Sequence, residues 1–342
     1  MKRKIIFIFC AVFIFTAQSW GQIAIYIDEI GYEIDKTTKE ASVVAVAQKA
    51  TISGTLTIPA TIVYRDVVHP VTSIISLYNL ELHSNIKSVF ISDGIKTISE
   101  TMSGLGSAKY IESIRLPNTL LSIGKNTFLR CASLTTISIP NSVTTIGDHA
   151  FEGCSSLTSV VISNSVQDLG GAAFYGCNNL VSVSLPEGLQ RIKGSTFKDC
   201  VNLTDIILPN SIISIGQAAF QNCQKLTSIV FPEGVTTIES FAFSNCKNLS
   251  SVTFPATTLT GFGYSAFEHC VSLTSIDIPQ SVTSIGTPAF EYCDNLKKIY
   301  VHWTEPAWWL KGVFCSKLIT LYVPKGCKAK YNADCYHDII EM

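Results

Sequence analysis

Eight copies of one short motif place a thiol where chemistry is conceivable. Phe151 and Cys154 lie three residues apart in "HAFEGC" (149–154), and Phe174 and Cys177 repeat the spacing in "AAFYGC" (172–177). A thiol at a repeated position suggests a disulfide, a metal ligand or a redox centre. The spacing of the whole set argues against all three. The cysteines run 131, 154, 177, 200, 223, 246, 270, 293 and 315, at gaps of 22 to 24 residues. Stacked at that period they form a row. A row of thiols does not converge tetrahedrally on a metal, and no C-x-x-C occurs. Adjacent rungs bring Cα atoms about 5 Å apart, within disulfide reach. Each Cys, however, sits in an inward slot between a Phe and a Leu, where a free thiol behaves as a small buried hydrophobe. The reading is therefore a column of buried free thiols. Cys327 and Cys335 lie outside the period, and for them a disulfide and a free pair both stand open.

Other reactive side chains form no constellation. The histidines are His69, His83, His149, His269, His302 and His337, and none shares a repeat with Ser and Asp at triad-like spacing. His149 and His269 take outward positions beside the Ala-Phe turn. "YVHWTEPAWWL" (300–310) gathers Trp303, Trp308 and Trp309 where the repeat breaks down. Exposed, these rings would stack on sugars or anchor a partner; buried, they would cap the last rung. The cap is the preferred reading. "NLT" (202–204) and "NLS" (248–250) are glycan acceptors only in a eukaryotic route, and Asn there is more simply a turn residue.

The elements that hold these residues follow from the repeat. Phe128, Phe151, Phe174, Phe197, Phe220, Phe243, Phe267 and Phe290 each stand three residues before a Cys. Leu134, Leu157, Leu180, Leu203, Leu226, Leu249, Leu273 and Leu296 each stand three after. Ala150, Phe151, Cys154 and Leu157 fit one face of a short helix or 3₁₀ segment. The period then changes to two: Val160 and Ile162 point in, Ser159 and Val161 out, as in a strand. One such unit buries too little to offset the cost of ordering its own backbone, so units must stack. Strands of about eleven successive units then form a parallel sheet.

The run "LTTISIPNSVTTIGDHAFEGC" (134–154) resembles the BspA-like (Treponema-type) leucine-rich repeat, and the likeness covers about 86–325. It implies a right-handed leucine-rich-repeat solenoid of a secreted or cell-surface protein, often an adhesin, with no catalytic residues to transfer. The departures are Ser163 in place of Pro, an extra residue in 256–263, Pro288 in a helical segment, and two residues missing between Phe314 and Cys315. The segment around 92–111 lacks Phe and Cys altogether.

The expected organisation is a signal peptide (1–21), an N-terminal β cap with degenerate first rungs (22–85), leucine-rich repeats (86–325) and a C-terminal cap ending in a short helical tail (326–342). Lys2, Arg3 and Lys4 precede the apolar run "IIFIFCAVFIF" (5–15), which is too short to span a bilayer. Its removal leaves 22 Lys+Arg against 26 Asp+Glu. No basic patch is legible, which argues against nucleic acid.

Recognition is then expected on the outward strand positions. One column is Ser138, Val161, Ser184, Ile207, Val230, Thr253, Asp277 and Tyr300; its neighbour is Thr136, Ser159, Ser182, Asp205, Ser228, Ser251, Ser275 and Lys298. The competing explanation is that Thr, Val and Ile simply favour strands. The expected protein is non-enzymatic and cofactor-free. Its partner is an extracellular matrix or cell-surface protein, or alternatively a glycan held by the Trp cluster.

Overall fold

The computed structural model describes residues 23–99, 108–307, 310, 313, 316–331 and 333–342. The expected signal peptide lies outside the described residues, as do Trp308, Trp309, Phe314 and Cys315. Two compact units divide the chain at Leu157 and Thr158. No helix among the described residues is long and apolar enough to cross a membrane.

In the first unit seven strands lead into the repeats: β1 (Ile23–Ile27), β2 (Ile30–Ile34), β3 (Ala41–Val46), β4 (Gly54–Ile58), β5 (Thr61–Tyr64), β6 (Val67–Tyr78) and β7 (Ile86–Ile91). β1, β2 and β3 pair antiparallel. Between β2 and β3, Asp35 Oδ1 accepts the N–H groups of Thr37 and Thr38 at 2.7 and 2.8 Å, and this side-chain turn closes the hairpin. β3 pairs parallel to β6, and β6 to Thr97–Ile98, which starts a ladder continued by Ser122–Ile123 and Thr145–Ile146. A second parallel ladder runs β4, β7, Ser113–Arg115 and Thr136–Ser138. Successive rungs thus supply one strand to each ladder.

The second unit repeats this plan. Ser159–Val161, Ser182–Ser184 and Asp205–Ile206 pair in parallel, as do Ser228–Val230 and Ser251–Thr253. Short strands from Arg191–Ile192 to Ser284–Ile285 form the companion ladder. Ser275–Ile278, Lys298–Val301, Ser316–Val323 and Tyr336–Glu341 close the unit. The helical tail expected at the C-terminus is instead two 3₁₀ turns followed by that last strand. The free backbone edge of Ser316–Val323 explains this, since it offers ladder partners that a helix would leave unpaired.

The segment expected as a short helix is a chain of turns. Residues two before and two after seven of the eight motif Phe hold positive φ, as at Asn126 and Arg130 (both 58°) or Ser195 (57°) and Asp199 (60°), and at Phe290, where Pro288 precedes, only the later one, Tyr292, does (58°). A left-handed residue breaks the i→i−4 pattern. The alternation turns every second N–H toward the next rung. In the first unit Asn126, Phe128 and Arg130 donate to Asp148, Ala150 and Glu152 carbonyls at 3.0, 2.7 and 2.6 Å. In the second, Ser195, Phe197 and Asp199 donate to Gln217, Ala219 and Gln221, each at 2.8 Å. The turn side is therefore a ladder between rungs, like the strand side. Pro288 is tolerated there because the segment is not a helix.

The core columns stack. Phe128 lies on Phe151 at 5.0 Å in the first unit. Phe174, Phe197, Phe220, Phe243, Phe267 and Phe290 continue at 5.1 to 5.7 Å in the second. Each such pair adds about 0.5–1.5 kcal/mol beyond its burial.

A Gly after most short strands marks where rungs approach most closely. A Cβ on Gly263 would lie 2.2 Å from Ser240 N and 2.6 Å from Glu239 C, both backbone atoms. Rigid backbone cannot give way cheaply, so Gly263→Ala is expected to destabilise by about 3 kcal/mol. Chemical denaturation measures this; an unchanged midpoint would show that the rungs separate without cost.

Candidate functional site

The thiol column is sealed. Cys154 Sγ–H donates to Phe128 O at 3.2 Å in the first unit. In the second, Cys200, Cys223, Cys246, Cys270 and Cys293 donate to the Phe carbonyl of the preceding rung at 3.1 to 3.3 Å. Burial pushes Cys131, Cys246 and Cys293 up to about 12, and pushes Cys200, Cys223 and Cys270 up as well. A protonated donor thiol is no nucleophile and no ready metal ligand. Cys327 and Cys335 are free and buried, so the tail pair is not a disulfide. Among the described residues no group of three His, Cys, Asp or Glu is placed to hold a metal.

Trp303 faces inward. It is 9% exposed, and its Nε1–H is shared between Gln280 O and Val282 O, both at 3.2 Å. Ser211 and Thr258 hydroxyls bridge the equivalent carbonyl pairs of earlier rungs, Glu187/Leu189 and Glu233/Val235, at 2.6 to 2.8 Å. The Trp303 carbonyl in turn accepts the Tyr331 hydroxyl at 2.6 Å. Trp303 thus takes over a hydroxyl's place and caps the ladder, and its ring is not offered to a sugar.

The outward strand residues of the second unit lie on its surface. Ile207 is 80% exposed, Val161 68% and Val230 63%. Ser159, Ser182, Ser184, Asp205, Ser251, Thr253, Ser275 and Asp277 are exposed, and Ser228 is half-buried. Register sets them in rows: Ser159, Ser182 and Asp205 lie side by side, as do Val161 and Ser184, Val230 and Thr253, and Asp277 and Tyr300. Because the sheet pleat sends their flanking residues into the core, these side chains have no alternative direction.

Residues beyond the sequence columns join this face. Tyr322 lies opposite Tyr300 and the two rings stack at 4.4 Å and 21°. His302 Nε2 lies 2.7 Å from Asp277 Oδ1. Leu318 is 66% exposed. The alternation in "LITLYV" (318–323) carried the signal for Tyr322, past the point where the regular repeat ends. Elsewhere His149 pairs with Glu152, and His269 stacks on Tyr292 at 4.5 Å. Neither His approaches a nucleophile constellation. The site as built is a display of small hydroxyls, four exposed aliphatic side chains and an aromatic pair, suited to binding.

Comparisons with known proteins agree with this architecture. A family model described as the BspA type leucine rich repeat region, in six copies, matches residues 105–227 and 214–305. The fold is similar to a leucine rich cell surface protein from Faecalibacterium prausnitzii A2-165, at 21% identity and TM-score 0.54, covering 95% of this chain and 96% of that one. It is also similar to a leucine-rich repeat protein from Bacteroides ovatus ATCC 8483, at 23% identity and TM-score 0.50, covering 81% and 94%. No curated protein matches.

Proposed function

Because this chain belongs to the BspA-type leucine-rich-repeat family, we propose that it is a secreted or cell-surface binding protein, without catalysis, that recognises protein partners through the strand-lined face of its second unit. The observation behind this reading is the exposure of Ile207, Val161 and Val230 on a strand face where Ser and Thr are the commonest neighbours. Apolar side chains held rigidly in water gain on being covered, about 1.5–3 kcal/mol each when fully buried. The stacked Tyr300 and Tyr322 supply the residue type that dominates interface energetics. The mechanism is many modest contacts on a pre-ordered surface, so little entropy is lost on docking. The cell-surface description of the Faecalibacterium protein supports the location. Glycan capture by the Trp cluster is the weaker reading, because Trp303 is enclosed.

The test is surface-plasmon binding to matrix and cell-surface proteins. Ile207→Asp with Val230→Asp should weaken a bound partner at least tenfold, with circular dichroism unchanged because both side chains are exposed. Full binding by the double variant would sink this face as the site.

A further inference from the structure

The first unit carries a cationic cluster along and beside its own strand face, with Arg115 on the strand Ser113–Arg115, Lys87 at the start of β7 and Lys109 in the turn before Ser113. Arg115 lies opposite Phe90 in register, with its guanidinium carbon 4.7 Å from the ring centre. Lys87 and Lys109 ammonium groups lie 5.6 and 5.0 Å from the Tyr110 ring centre. The carboxylate paired with the cluster among the described residues is Glu112, whose Oε1 is 3.6 Å from Lys87 Nζ, in a pair half open to water. Arg115 and Lys109 have no carboxylate partner among the described residues. Three cations against one anion make a local excess on a chain whose net charge is −1. A cation seated over a ring is positioned without being neutralised, so its N–H donors remain available.

The cluster has two poles. Lys87 and Phe90 are three residues apart on one strand, which separates the Lys87/Lys109 pole from the Arg115 pole by about 10 Å. Between them lie hydroxyls: Thr55 Oγ1 and Ser88 Oγ are hydrogen-bonded at 2.6 Å, and Ser113 lies opposite Ser88.

We propose that this face is a binding site for an anionic polysaccharide. One acidic group sits on Arg115, a second on Lys87 and Lys109, and sugar hydroxyls meet Ser88 and Ser113 between them. Two pyranose units of an extended chain span a distance like that between the poles. An extended peptide is the poorer occupant. It binds at a sheet edge, where ladder hydrogen bonds are free, whereas a face made of side chains leaves peptide N–H and C=O groups unpaired. Carboxylate or sulfate on Arg and Lys gives charge-assisted hydrogen bonds, screened by salt where exposed.

Hyaluronan oligosaccharides, with one carboxylate per disaccharide, serve as the probe by calorimetry at low salt. Expected results are binding that weakens with added salt, a loss of at least tenfold in Arg115→Gln and in Lys87→Gln with Lys109→Gln, and a severalfold gain in Glu112→Gln. Neutral dextran should not bind. The gain in Glu112→Gln keeps the test informative if a Gln variant is poorly folded. Absence of hyaluronan binding, equal binding by the Gln variants, or equal or tighter binding of poly-glutamate or duplex DNA overturns the proposal. All these residues lie in the first unit, so failure here leaves the protein-binding reading of the second unit intact.

Discussion

Raising the pH above the ordinary thiol value of 9.0 is expected to unfold the second unit in one steep transition, well below pH 12. Burial raises Cys200, Cys223, Cys246, Cys270 and Cys293, to about 12 for Cys246 and Cys293. Below 9.0 both folded and unfolded chains keep these protons, and the contribution to stability is whole. Above it the unfolded chain sheds protons that the folded chain retains, so stability falls until the folded value is reached. Each thiol then removes about 1.4 kcal/mol per pH unit. Five in one unit remove about 7 kcal/mol per unit of pH, against a typical total stability of about 5–15 kcal/mol. Tyr331, raised to about 12 by burial, adds to the loss once the pH passes the ordinary tyrosine value. Circular dichroism and Ellman's reagent read this together. The native column should refuse the reagent at pH 8 and react as the dichroism collapses. Cys246→Val should flatten the pH slope by one thiol's share. Native dichroism at pH 11.5, or thiols reacting in the folded protein, would refute the sealed column.

Phe220→Ala is expected to cost about 3–5 kcal/mol, the usual loss for a buried aromatic ring truncated in a core. Phe220 is fully buried and stacks on Phe197 at 5.4 Å and Phe243 at 5.1 Å, so truncation opens a void between two rings that cannot close on each other. Contacts in a solenoid are nearest-neighbour, so the damage should concentrate in the flanking rungs. Hydrogen exchange should accelerate at Phe197 and Phe220 amides, which bond across those rungs. By contrast Ile207→Ala, 80% exposed, should change stability by less than about 0.5 kcal/mol. Equal effects from the two substitutions would mean that the Phe column is not what couples the rungs.

Much of this was legible in the chain itself. A period of 22 to 24 residues assigns each side chain to a column, and the alternation around Val160 divides inward from outward strand positions. The inward Phe and Cys columns follow from that alone. The turn side did not follow, because Ala150, Phe151, Cys154 and Leu157 satisfy a helical pattern and a chain of turns equally well. What separates the two is the supply of carbonyls on the next rung, which exists only once the rungs are stacked.

The amino-acid sequence by itself determined the repeat, the stacked parallel strands and the chemistry of the thiols, since each depends on residue type and period. Tertiary structure alone decided three other things. Trp303 fills a hydroxyl's place because the chain breaks register there and brings an indole N–H between two carbonyls. Tyr322 meets Tyr300 because strand pairing continues past the last regular repeat. Lys87, Lys109 and Arg115 are scattered in the chain, where no basic run is visible. They converge because stacking two rungs brings residues 22 to 28 positions apart to within about 10 Å, and charges at that distance act together.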